Sequence, residues 1–205
     1  MKKIICYGDS NTFGYNPKDN LRFDENTRWT SVLQKNLGAE YKVINEGMCD
    51  RTGFVTNPKG FEFSAQMHFS KLISELETID LLIIWLGTND LQFQYDISLD
   101  VIEKGLENLI KIGQEKAKNI IIIPPVILSE KVLEGFFNYQ FDKNSVEKSR
   151  KVGNTFRNLA NIYHCEYLDI NKFTVPSDID GLHYDENSHK LIGQKLTDLI
   201  YKINL

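Results

Sequence analysis

Apolar residues gather in five short runs, 3–7, 41–45, 80–86, 119–123 and 166–170, rich in isoleucine, leucine and valine without strict alternation. That pattern predicts strands covered on both faces. Longer stretches with helical periodicity lie between them. Residues 28–37 carry Trp29, Val32, Leu33 and Leu37 on one face, with Gly38 as a stop. Residues 101–117 carry Ile102, Leu106, Leu109, Ile110 and Gly113 on one stripe, with Ser98 or Asp100 as the candidate cap. Residues 146–163 and 186–203 continue the alternation. Strands alternating with helices imply right-handed crossovers and a parallel sheet. The expected architecture is a three-layer α/β domain spanning residues 1–205.

Two segments stand outside this rhythm. Residues 16–26 are polar with little periodicity. Residues 124–144 open on Pro-Pro and then show Val132, Leu133, Phe136, Phe137, Tyr139 and Phe141. An aromatic-rich segment beyond a strand end serves as a lid, a pocket wall or an oligomer contact, or it folds onto the core.

Composition narrows the classes. At 41% hydrophobic and 25% charged residues, the chain has the mix of a globular fold, and 205 residues bury a large core without staples. A formal charge of −4 with no basic run argues against a nucleic-acid surface and points to neutral or small substrates. Three scattered cysteines make no disulfide framework; Cys6 and Cys165 read as small buried hydrophobes. No stretch approaches the about 20 apolar residues of a membrane span, and none has the form of a signal peptide, so a cytoplasmic protein is expected. The spacing of His and Cys residues suits no zinc site, and no cofactor is expected.

The candidate chemistry lies at the strand ends. In an open parallel sheet, ligands collect at the carboxyl edge near the point where strand order reverses. Ser10 follows the first strand there, Gly47 the second, and Gly87-Thr88-Asn89-Asp90 the third. In a flavodoxin-like order 2-1-3-4-5, Ser10 and Asn89 face each other. A serine needs a base to take its proton, and the base needs an orienting acid. Asp180 and His183 stand three apart in the loop before the last helix, with Gly181 between them. His189 lies inside the last helix, His164 ends another helix and His68 sits in an amphipathic stretch, settings that suit structural or surface roles. The backbone N–H groups of Ser10 and Gly47 and the Asn89 amide are the candidate donors to an oxyanion.

Gly8-Asp9-Ser10-Asn11, Gly47, Gly87-Thr88-Asn89-Asp90 and Asp180-Gly181-Leu182-His183 resemble, in order, the four motif blocks of the SGNH (GDSL-type) hydrolases. The likeness runs from residue 4 to the last helix and is nearest to the bacterial arylesterase/acyltransferase branch. It implies a flavodoxin-like fold with a five-stranded sheet and esterase activity on a small-molecule ester. It casts Ser10 as nucleophile, His183 as base, Asp180 as orienting acid, and Ser10, Gly47 and Asn89 as the oxyanion hole. Asp9, Asn11, Phe13 and Tyr15, beside the serine, are the candidate substrate contacts, with Phe13 and Tyr15 lining a small acyl pocket. That branch also implies a homo-oligomer, as large as an octamer, and acyl transfer to alcohols. The rival reading is a non-catalytic module in which the loop "SNTFG" holds a flavin or phosphate. It leaves Asp180 and His183 without a task.

Overall fold

The computed structural model describes residues 1–205. Five parallel strands form one sheet in the order β2-β1-β3-β4-β5. They are β1 (Lys2–Gly8), β2 (Tyr41–Gly47), β3 (Ile79–Trp85), β4 (Ala117–Ile123) and β5 (Glu166–Tyr167). β1 pairs on one side with β2, Gly8 opposite Gly47, and on the other with β3, Gly8 opposite Trp85. Strand order therefore reverses around β1, and the ends of β1, β2 and β3 come together at one edge.

Six helices complete the fold: α1 (Ser10–Phe13), α2 (Trp29–Leu37), α3 (Ala65–Glu75), α4 (Leu99–Gln114), α5 (Lys143–Ile162) and α6 (Glu186–Lys202). None is long and apolar enough to cross a membrane. The caps follow the sequence closely. Ser98 Oγ accepts the Val101 N–H, and Asp142 and Ser145 form a reciprocal capping box at the start of α5.

The apolar runs are buried as expected: Ile4, Ile5 and Cys6 on β1, Leu81 to Ile84 on β3 and Ile121 to Ile123 on β4 are at most 1% exposed. Trp85 belongs to this core. Cys165, in contrast, is only partly buried, because β5 is a short edge strand of two residues. The fifth run extends the sheet for less than its apolar length; Ile170 instead begins a 3₁₀ turn and anchors in the core.

α2 and α6 pack together over one face of the sheet, and a buried polar contact joins them. The Trp29 N–H donates to Nδ1 of His189, and the His189 ring meets the edge of Phe23. Nε2 of His189 is buried without a partner. Burial, reinforced by the nearby His183, drops the His189 pKa from 6.5 to about 3. A histidine with a depressed native pKa stabilises the fold above pH 6.5, and that contribution is lost as pH falls toward 3. Burial pushes the carboxyls of Asp9 and Asp90 up to about 6, which pulls the other way over much of the same range. The signature is therefore a difference. Between pH 6 and 4, wild type is expected to lose about 1.4 kcal/mol per pH unit relative to His189→Gln. Urea unfolding of both proteins across that range measures it.

Candidate active site

At the end of β1 the chain leaves the sheet through a one-turn helix. Asp9 caps it by accepting the Asn11 N–H at 3.0 Å, and Gly14, with a φ of +91°, ends it. Ser10 takes the first helical position, where a backbone N–H has no acceptor within the helix. Its hydroxyl turns toward the loop that precedes α6. That loop is built around Asp180: Oδ1 accepts the N–H groups of both Leu182 and His183 at 2.9 Å. Gly181 turns it with a φ of +70°, and a Cβ there would lie 2.5 Å from Ser129 Oγ. Only glycine fits so tight a corner.

The first and last thirds of the chain meet here. Ser10 Oγ lies 2.9 Å from Nε2 of His183, and Nδ1 of His183 lies 2.7 Å from Oδ2 of Asp180. His183 is 3% exposed, Asp180 5% and Ser10 8%. Burial works to raise the Asp180 carboxyl, but the hydrogen bond and charge of His183, with the two N–H groups, hold it below the usual carboxylate range. An ionised Asp180 accepts a hydrogen bond from Nδ1–H, which keeps the ring proton on Nδ1 and leaves the Nε2 lone pair facing the serine hydroxyl. The imidazole is flanked by Tyr15, with ring centroids 4.2 Å apart, and by Phe137 at 5.5 Å.

Asn89, at the end of β3, opens onto the same space. Its Nδ2 donates to the Arg51 carbonyl at 3.0 Å, and its Oδ1 accepts from Gln92, so the second amide hydrogen is free. Arg51 itself is buried. Its guanidinium lies over the Tyr7 ring and donates to the carbonyls of Gly8, Glu46 and Glu62. Asp90, also buried, gathers the N–H groups of Gly53, Phe54 and Val55. These two side chains fix the segment after β2 against the ends of β1 and β3.

Gly47 ends β2 at the edge where the sequence places it, opposite Gly8, but its role there differs from the expected one. Its N–H donates to Asn45 Oδ1 at 2.9 Å, so it is not free to serve an oxyanion. A Cβ there would lie 2.1 Å from Phe13 N, so the glycine is needed for close packing of α1 on β2. In this segment the N–H groups of Cys49 and Asp50 make no hydrogen bond, and no signal in the sequence singles out Asp50. The Arg51 N–H closes a turn onto the Met48 carbonyl. Asp50, at φ +62°, occupies the left-handed corner of that turn, and its own N–H makes no hydrogen bond. Aspartate is among the few non-glycine residues that tolerate this corner.

The residues beside the serine divide in the same way. Tyr15 lines the cavity. Asp9 is buried as the helix cap, and Asn11 is a buried tie: its Nδ2 donates to the Leu182 carbonyl and its Oδ1 accepts the Tyr184 N–H. Phe13 packs under Arg22, outside the cavity. The cavity itself holds about 200 Å³ and has Ser10, Asn89 and His183 in its wall, with Cys49, Asp50 and Lys59 beside them in the lining. Burial pushes the Cys49 thiol up to about 12, which leaves it an inert wall. Phe136, Phe137, Tyr139 and Gln140 also line it. The segment 124–144 is thus part core, through Val132 and Phe141, and part cavity wall.

Solved structures share this fold from end to end. The M. smegmatis aryl esterase superposes with a TM-score of 0.90 at 24% identity, over 98% of this chain and 99% of that one. Est24, a carbohydrate acetylesterase from Sinorhizobium meliloti, gives 0.87 at 24% identity, over 99% and 100%. Another Sinorhizobium meliloti protein, a carbohydrate acetylesterase family member, gives 0.87 at 28% identity, over 98% of each chain. No curated protein matches the sequence. The family model of the GDSL-like lipase/acylhydrolases matches residues 6–191, from the middle of β1 into α6. With that match spanning both the serine and the histidine loop, the chain belongs to the GDSL-like lipase/acylhydrolase family and is a carboxylic ester hydrolase.

Proposed function

We propose that the protein cleaves short-chain, acetyl-type esters through an acyl-enzyme on Ser10, with His183 as base and Asp180 as its orienting acid. The observation that carries this reading is the unbroken relay of 2.9 and 2.7 Å from Ser10 Oγ through His183 to Asp180. As Ser10 Oγ attacks the ester carbonyl, its proton passes to Nε2, and the Asp180 carboxylate stabilises the imidazolium that forms. The carbonyl oxygen becomes an alkoxide, for which the N–H groups of Ser10 and Asp50 and the free Nδ2 hydrogen of Asn89 are the donors. Each such donor is worth about 10²–10³ in rate. His183 then protonates the leaving alcohol, the acyl group stays on Ser10, and a water activated by the same imidazole releases it.

A cavity of about 200 Å³ favours a small acyl group. Its half-apolar wall, with Phe136 and Tyr139 reaching outward, suits a ring-bearing leaving group, aryl or sugar. An acceptor alcohol bound on that wall would take the acyl group in place of water. Phe136, 74% exposed, also fits a contact between copies in a homo-oligomer. Hydrolysis of p-nitrophenyl acetate is expected to exceed that of the octanoate by at least about tenfold in kcat/KM, the discrimination a few misplaced methylenes produce. A fluorophosphonate is expected to label Ser10 alone. Faster cleavage of the octanoate removes the small acyl pocket, and labelling elsewhere removes Ser10 as nucleophile.

A further inference from the structure

Asp50 presents a difficulty if its backbone N–H faces an oxyanion. The side chain of the same residue carries a negative charge into the same cavity wall, where the reaction builds a second one. Like charges in a partly desolvated space oppose each other strongly. The structure supplies a partner. Lys59 Nζ lies 2.5 Å from Asp50 Oδ2, and both residues line the cavity with Ser10, Asn89 and His183. No other aspartate, glutamate, lysine or arginine does so. The pair is held from the loop side as well: Asn57 Nδ2 donates to the Asp50 carbonyl at 2.7 Å, and Asn57 Oδ1 accepts the Lys59 N–H at 2.9 Å.

We propose that Lys59 is a positioning residue whose ammonium neutralises the Asp50 carboxylate, so that a left-handed aspartate can lend its N–H to the oxyanion without its charge opposing the reaction. This rests on the assignment of Ser10 as nucleophile and Asp50 N–H as donor. Lys59 touches no reacting atom in this role. Its effect falls on the step in which negative charge develops, and therefore on kcat more than on KM.

Lys59→Met keeps an apolar stem of similar length and removes the ammonium, its charge and its hydrogen bond to Asp50. In 20 mM salt it is expected to lower kcat for p-nitrophenyl acetate by about tenfold, with KM within about twofold. Measured in an Asp50→Asn background, the same substitution is expected to cost less than about threefold, because no carboxylate is left to unmask. At 1 M salt the tenfold loss is expected to shrink, since a half-exposed charge is screened over about 3 Å there. A pair that only braces the loop predicts that Asp50→Asn alone costs as much as Lys59→Met, because either substitution breaks the brace, whereas neutralisation predicts a smaller loss for Asp50→Asn; equal losses in the two single variants overturn the proposal, as does an unchanged kcat in Lys59→Met. Ser10→Ala, assayed alongside, separates the two levels. If it is inactive while Lys59→Met equals wild type, only the ion-pair proposal falls. If it stays active, the assignment beneath it falls too.

Discussion

Ser10→Ala is expected to abolish turnover of p-nitrophenyl acetate, by about 10⁴–10⁶ in kcat, while the protein stays folded. The size follows from the chemistry. Without the hydroxyl no acyl-enzyme forms, and the substrate can be cleaved only by water placed near His183, aided by whatever donors remain. The fold is spared because Ser10 Oγ has one protein partner, Nε2 of His183. Removing it leaves that nitrogen facing a cavity where water can satisfy it, a cost of about 1 kcal/mol. The helix cap, by contrast, belongs to Asp9 and is untouched. Unchanged near-ultraviolet dichroism and unfolding midpoint would certify the fold. Retention of more than about a hundredth of wild-type kcat would remove Ser10 from the nucleophile's role.

Much of the sheet was readable from apolar runs because a parallel sheet, covered on both faces, leaves no polar alternation to confuse the signal. The first four runs end within two residues of the observed strands, the alternation with helices implies a parallel sheet, and the observed order β2-β1-β3-β4-β5 is the flavodoxin-like one that the resemblance implies. The fifth run misled at its end, since edge position, not hydrophobicity, limits β5 to Glu166–Tyr167. α3 was visible only as an amphipathic stretch around His68, because it lacks a capping side chain and a clear stop. Among site residues, Ser10, Asn89, Asp180 and His183 stood out through position at strand ends and through the short Asp-Gly-Leu-His spacing. Gly47 was assigned by motif order, yet motif order says nothing about which N–H is already bonded. That depended on Asn45, two residues away. Asp50 and Lys59 carried no local signal. Their roles arise from a left-handed corner and from a loop that returns nine residues later, and neither is encoded in a period or a motif. Asp9, Asn11 and Phe13 show the converse: nearness in sequence to a serine does not place a side chain in its cavity.

Asp180→Asn is the second large effect, with an expected loss of about 10⁴ in kcat and little change in KM. Both oxygens of Asp180 are in use: Oδ1 holds the N–H groups of Leu182 and His183, and Oδ2 faces Nδ1 of His183. Asparagine can keep Oδ1 on the two backbone donors, so the loop and the ring retain their places. Its Nδ2 then faces Nδ1 as a donor and requires that nitrogen to be an acceptor, which moves the ring proton to Nε2. There it points at Ser10 Oγ, and the imidazole can no longer take the serine's proton. The charge that would stabilise an imidazolium is gone as well. Loop anchoring and proton transfer are thereby separated in one substitution, since a residue that merely anchored the loop would tolerate the amide. Single-turnover and steady-state rates on p-nitrophenyl acetate decide between them: a kcat within about tenfold of wild type would make Asp180 an anchor, whereas a 10⁴-fold fall with an unchanged unfolding midpoint makes it the group that sets the histidine's proton.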